Sequence, residues 1–99
     1  MKRIQDLVDK IDDEIEGAKC YAEEYLTYKA KGNGTWAGRY KAMAEDELKH
    51  AMYIHDRAME EINELSKAFT PPVEMQQKWD EAHKGYVERV AWVKMMLAM

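Results

Sequence analysis

Two short breaks divide this 99-residue sequence into three long segments, and they limit the possible folds more than any other feature. The first break, KGNGT at residues 31–35, places two glycines around Asn33. The second, TPP at residues 70–72, combines Thr70, a helix-capping residue, with two prolines. These residues interrupt helices because glycine readily adopts positive φ and proline lacks a backbone N–H. Between the breaks, apolar residues recur at the three- and four-residue spacing of a helix face. The sequence therefore predicts helices over about 4–30, 36–69 and 72–99.

Long helices joined by short turns pack antiparallel, which predicts an all-α, up-down helical bundle in a single domain spanning residues 1–99. In each helix one apolar stripe is expected to face the core. The predicted stripes are Leu7, Ile11, Ala18, Tyr21, Tyr25 and Tyr28 in the first helix, Tyr40, Ala44, Ala51, Ile54, Ala58, Ile62 and Leu65 in the second, and Trp79, Tyr86, Val90, Val93 and Leu97 in the third.

The third helix is apolar on a second side near its C-terminal end, in the segment VAWVKMMLAM. A helix that is apolar on two sides is usually buried by a second partner. We therefore expect the chain to form a homodimer or a larger homo-oligomer that completes the bundle. The residues of this second side are Trp92, Met95, Met96 and Met99.

Composition argues against several classes of function. A net charge of −4 does not suit a protein that binds nucleic-acid phosphates, and the basic residues around the first break (Lys29, Lys31, Arg39 and Lys41) form only a small cluster. No run approaches the roughly 18 apolar residues that span a membrane, and the N-terminal segment does not resemble a signal peptide. The single cysteine, Cys20, excludes an internal disulfide or a cysteine-based zinc site. We expect a cytoplasmic protein that binds neither nucleic acid nor membrane.

The chemically informative residues are a carboxylate and an imidazole in the second helix. Glu47 precedes His50 by three residues, so both project from neighbouring points on one face. Glu47 lies between apolar residues of the stripe on the second helix, and Glu14 lies between apolar residues of the stripe on the first. A carboxylate in an apolar stripe is costly unless it is paired or bound to a metal. Carboxylate and imidazole donors suit iron or manganese better than they suit soft metals. The alternative is a structural role for Glu14, Glu47 and His50, in a buried hydrogen-bonded network or on an exposed face. His55 is expected to be a packed or surface histidine.

The spacing of these residues resembles the ferritin-like superfamily, most closely the helical domain of rubrerythrins. Glu14 and Tyr21 in EIEGAKCY match a Glu-x6-Tyr pattern, and Glu47 and His50 in YKAMAEDELKH match the Glu-x-x-His that follows 33 positions after the first glutamate. The resemblance covers residues 7–60 and extends to short ferritin-like proteins of bacteria and their phages. It implies an antiparallel hairpin with an iron or di-iron centre that reacts with oxygen or peroxide, as in a ferroxidase- or peroxidase-like oxidoreductase. Glu14, Glu47 and His50 would be ligands, and Tyr21 would form a hydrogen bond beside them.

A complete ferritin-like subunit has a second hairpin with its own Glu and Glu-x-x-His, whereas this sequence offers one further helix containing DEAH. Asp80 and His83 in that segment are therefore candidates for completing the metal site. The alternative is a second chain that supplies the other half.

Two rival functions use no metal. A small helical module that binds another protein through its acidic faces and apolar C-terminal segment is the main alternative. A bundle that binds a small ligand is the second.

Overall fold

The computed structural model describes residues 2–99, and these residues form three helices with no β-strand among them. Helix α1 spans Lys2–Ala30, α2 spans Gly34–Ala68 and α3 spans Val73–Ala98. The all-α class and the positions of both breaks are therefore confirmed. None of the three helices combines the length and the apolar character that crossing a membrane requires.

The first break ends one helix and begins the next with only three residues, 31–33, between them. Gly32 has a φ of 75°, and its N–H donates to the carbonyl of Lys29 (3.0 Å), while the N–H of Asn33 donates to the carbonyl of Tyr28 (2.9 Å). This pair of bonds is a Schellman motif, which favours glycine because L side chains rarely adopt positive φ. Asn33 then caps α2, since its side-chain oxygen accepts a hydrogen bond from the N–H of Trp36 (3.2 Å).

The second break differs from the prediction that Thr70 caps the third helix. Pro72 occupies the capping position instead, without a side-chain hydrogen bond, and α3 begins at Val73. A cap at Thr70 would make Pro71 the first helical residue, but Pro71 precedes Pro72 and is therefore pushed towards extended backbone. Pro72 is itself extended, with a ψ of 145°.

Helix α1 lies beside both other helices, whereas the backbones of α2 and α3 hardly approach each other. Contacts between α1 and α2 occur in opposite order along the two helices. Arg3 pairs with Glu61, and the ring of Tyr28, near the end of α1, stacks on Tyr40, near the start of α2. The resulting particle measures 55 × 17 × 17 Å. Its elongated shape places most residues close to the surface, so the core is a narrow seam.

The core seam contains most of the predicted apolar stripes, with differences at their edges. Tyr21 and Tyr28 are only half-buried, as are Tyr40, Ile54 and Leu65. Isoleucines and small residues of the same faces fill the seam, which allows the helix backbones to approach closely. The buried residues of α1 and α2 are Ile4, Leu7, Ile11, Ile15, Ala18, Ala22, Tyr25, Ala37, Ala44, Leu48, Ala51, Ala58 and Ile62.

In α3 the assignment of Met96 to a second apolar side is wrong. Met96 is 7% exposed and packs in the core with Ala22 and Val93, three residues before it on the same face. Trp92, Met95 and Met99 are exposed, as the prediction requires. The second apolar side of α3 therefore consists of these three residues, called here the outer face.

Candidate metal centre

Glu14 on α1 faces Glu47 and His50 on α2. One donor atom from each residue lies within 4.8 Å of the donors of the other two. Nδ1 of His50 is 3.5 Å from Oε2 of Glu14 and 3.8 Å from Oε1 of Glu47. The structure thus brings together, from two helices, the three residues that the sequence singles out. It is the one such group of three or more His, Cys, Asp or Glu residues within 2–99.

Small residues on α1 and α2 make room for this group. A Cβ placed on Gly17 would lie 3.5 Å from Oε2 of Glu47, so the Glu47 carboxylate rests directly against the glycine backbone. Ala18 and Ala51 beside the group are fully buried. A short distance between the two helices lets the glutamate side chains of α1 and α2 reach each other.

Glu14 affects the protonation of Glu47. The pKa of Glu47 is raised above its ordinary value, first by a hydrogen bond with Glu14, then by burial and by the negative charge of Glu14. His50 acts in the opposite direction and lowers the pKa of Glu47. A hydrogen bond between two carboxyl groups requires a proton on one of them. A cation bound at this position would relieve the repulsion between the two carboxylates as such a proton does.

The partial exposure of Glu14 and Glu47 corrects the interpretation that this group is a buried hydrogen-bonded network. No polar or charged residue among residues 2–99 is buried, and the Glu14 and Glu47 side chains are 29% and 26% exposed. A buried hydrogen-bonded network is therefore excluded for this group. The glutamates lie at the edge of the apolar seam, because the helices are too few to enclose them.

The donor set fits a divalent transition metal. Two carboxylates and one imidazole supply oxygen and nitrogen donors of the kind that iron and manganese accept. Partial exposure gives an ion a path from solvent. Three protein donors leave coordination positions open, as in metal sites that take up an exogenous ligand.

Asp80 and His83 lie elsewhere in the structure. Asp80 is exposed and accepts a hydrogen bond from the side chain of Gln76 (2.9 Å). His83 is joined to His55 through a contact of 2.9 Å between Nδ1 and Nε2. Within the described chain, neither residue contributes a donor to the group of Glu14, Glu47 and His50.

The packed position of His55 confirms the sequence-based expectation for this residue. Its side chain is 13% exposed, and its ring stacks on that of Tyr86 with a centroid distance of 4.4 Å and an angle of 9°. Trp79 stacks near it at 5.6 Å. Burial, together with the charge of Asp56, raises the pKa of Tyr86. The pairing of His55 with His83 was not predicted, since they are on different helices and share no motif.

Tyr21 lies in an aromatic cluster at the end of the helices where α1 meets α2. Its ring is 6.2 Å from that of Tyr40, which also contacts Tyr28 and Trp36. The described residues include no hydrogen bond between the Tyr21 hydroxyl and a residue of the candidate metal centre.

Comparisons with protein-family models, with curated proteins and with solved structures found no match to this chain. The candidate metal centre is therefore supported by its own geometry and by the sequence motif.

Proposed function

We propose that this protein binds iron(II), with manganese(II) as the alternative ion, through Glu14, Glu47 and His50. The observation that supports the proposal is the convergence of three donor atoms within 4.8 Å from two different helices. The raised pKa of Glu47 adds to it, because the nearby charge of Glu14 disfavours ionisation of Glu47 and a cation bound between the two would offset that repulsion.

Each residue has a distinct part in this proposal. Glu14 and Glu47 neutralise the ion's charge, and the ion offsets the repulsion between the two carboxylates. His50 offers a nitrogen donor from the more exposed side of the group, where its side chain is 54% exposed. A bound iron would supply one-electron chemistry towards oxygen or peroxide, which is the activity that the ferritin-like motif suggests.

The proposal includes a ferritin-like antiparallel hairpin formed by α1 and α2. In that arrangement one chain carries one Glu and one Glu-x-x-His, half of the ligand set of a di-iron bundle. A second copy, joined through the outer face of α3, would supply the other half. An oxidoreductase of the ferroxidase or peroxidase type is the activity proposed for such an assembly.

Titration of metal-free protein with iron(II) under anaerobic conditions, followed by calorimetry, tests the site. Glu47→Gln and His50→Ala should each abolish binding while the helical circular dichroism is retained. His83→Gln and Asp80→Asn are matched controls on α3 and should bind iron as the wild type does. Wild-type binding by both Glu47→Gln and His50→Ala would disprove the site. Loss of iron binding in His83→Gln would show that α3 contributes a ligand, His83, to the metal site.

A second candidate function is a helical module that binds another protein. Exposed apolar side chains on α2 and α3, among them Met52, Trp92 and Met95, favour it. This function would survive Glu47→Gln and His50→Ala, so the same variants separate the two candidates.

A further inference from the structure

A groove runs between α2 and α3 on the side away from α1. It forms because the backbones of α2 and α3 hardly approach each other, although both pack on α1. Its volume is about 460 Å³, and its floor is apolar, built from Leu48 and Met52 of α2 and from Val90 and Leu97 of α3. Bundles of this kind usually fill such a position with a further helix.

The rim of this groove is basic, in contrast to the chain as a whole. Lys41, Lys49 and Lys94 line it, and Glu45 is the one acidic residue among the lining residues. The net charge of the chain is −4. A second copy docked groove to groove would bring the two sets of lysines together, which like-charge repulsion opposes. The occupant that fits is therefore apolar on one face and acidic on its flanks.

Exposed apolar side chains continue along both helices beyond the floor of the groove. Met59 follows Met52 by seven residues on α2, Val87 precedes Val90 by three on α3, and Met52, Met59 and Val87 are exposed. From residue 41 to residue 59 the α2 side of this strip is ~27 Å long at the rise of an α-helix. Flexible methionines are typical of surfaces that receive amphipathic helices. A periodic strip of this length suits a helix better than a compact ligand.

We propose that the groove between α2 and α3 binds an acidic amphipathic helix of a partner protein. The helix packs its apolar face on the floor and places carboxylates opposite Lys41, Lys49 and Lys94. This interaction uses none of the residues of the candidate metal centre, so it is independent of metal binding.

A designed peptide of about 18 residues provides the probe. It carries leucines at helical spacing on one face and glutamates elsewhere, and a control peptide has lysines in place of the glutamates. Fluorescence anisotropy of the labelled peptides measures the Kd. The wild-type protein should bind the glutamate peptide at least about tenfold more tightly than the lysine peptide, because the rim lysines attract the first peptide and repel the second. Equal affinity for both peptides, or no binding of the glutamate peptide, would overturn the proposal.

Two double variants locate the binding surface. Met52→Asp with Val87→Asp places charges on exposed positions of the strip and should abolish peptide binding with the fold intact. Lys49→Glu with Lys94→Glu should weaken binding about tenfold. Lys10→Glu with Lys19→Glu on α1 makes the same change in net charge away from the groove and should leave the Kd unchanged. If the α1 variant weakens binding as much as the rim variant, the groove is not the site.

Sedimentation of the wild type and of the Met52→Asp, Val87→Asp variant tests whether a second copy of the chain occupies the groove instead. The proposal expects the same oligomeric state for both proteins. A wild-type oligomer that becomes monomeric in the variant would show that a second copy fills the groove, which would also overturn the proposal.

Discussion

Nε2 of His55 lies 2.9 Å from Nδ1 of His83, so a hydrogen bond between two imidazole rings joins α2 to α3. Such a bond needs one ring to donate its N–H and the other to accept. The stacking of His55 on Tyr86 adds to this contact. Because α2 and α3 approach each other so little elsewhere, this small cluster is the main polar connection between them.

Replacement of His55 by alanine should therefore lower the free energy of unfolding by about 2–3 kcal/mol. The change removes the hydrogen bond and the ring stacking and leaves a cavity beside Trp79. His50→Ala, a substitution of the same kind at an exposed position, should cost less than about 1 kcal/mol. Urea denaturation of metal-free protein measures both values. Equal stability of the two variants would show that the imidazole pair does not connect the helices.

Glu47→Gln should stabilise the metal-free protein at neutral pH. The raised pKa of Glu47 means that the folded chain binds this proton more tightly than the unfolded chain does. The contribution of Glu47 to stability is therefore complete below its ordinary pKa of 4.5 and is lost as pH rises through the raised pKa. Glutamine does not titrate, and its side-chain N–H can donate a hydrogen bond to the Glu14 carboxylate.

The advantage of Glu47→Gln at pH 7 should be about 1 kcal/mol or less, since the group is partly exposed, and it should disappear near pH 4. Urea denaturation at the two pH values measures it, with Glu23→Gln on the exposed face of α1 as the control. A variant that is less stable than the wild type at pH 7 would indicate that attraction to His50 outweighs repulsion from Glu14.

Gly17 provides a test of the space that Glu47 occupies. Gly17→Ala adds a Cβ in ordinary contact with the carboxylate and removes a flexible residue from a helix interior, which should stabilise the fold by about 0.5–1 kcal/mol. Metal binding should be retained. Gly17→Leu fills the space and displaces Glu47, so iron affinity should fall although no ligand is changed. Thermal unfolding and iron titration of both variants check this, and loss of iron binding in Gly17→Ala would contradict it.

Met95 and Met96 are neighbours in sequence with opposite surroundings, exposed and buried respectively. Met96→Glu places a charge in the core beside Ala22 and should unfold the protein or cost several kcal/mol. Met95→Glu should keep the fold and, if the outer face joins two chains, should convert an oligomer to a monomer. Circular dichroism and sedimentation distinguish these results. A folded Met96→Glu variant would mean that the packing of α3 is assigned incorrectly.

The sequence alone determined the three helices and the residues of the candidate metal centre. Gly32, Asn33 and Pro72 act locally, through φ, side-chain capping and the missing N–H, so their effect is visible without knowledge of the fold. Glu14, Glu47 and His50 were recognisable for a related reason. The three-residue spacing of Glu47 and His50 is a property of one helix, and the position of Glu14 within an apolar stripe indicates which side it faces.

Only the tertiary structure decided which residues meet across helices. Asp80 and His83 have the spacing of a ligand pair, but α3 turns His83 towards His55 on α2, at a distance from the candidate metal centre. Met96 enters the core although its neighbours Met95 and Trp92 remain exposed. The rotation of a helix about its own axis depends on the total fit of its side chains against two partners. When a helix is apolar nearly all round, as α3 is at its end, periodicity does not select the buried face, and packing does.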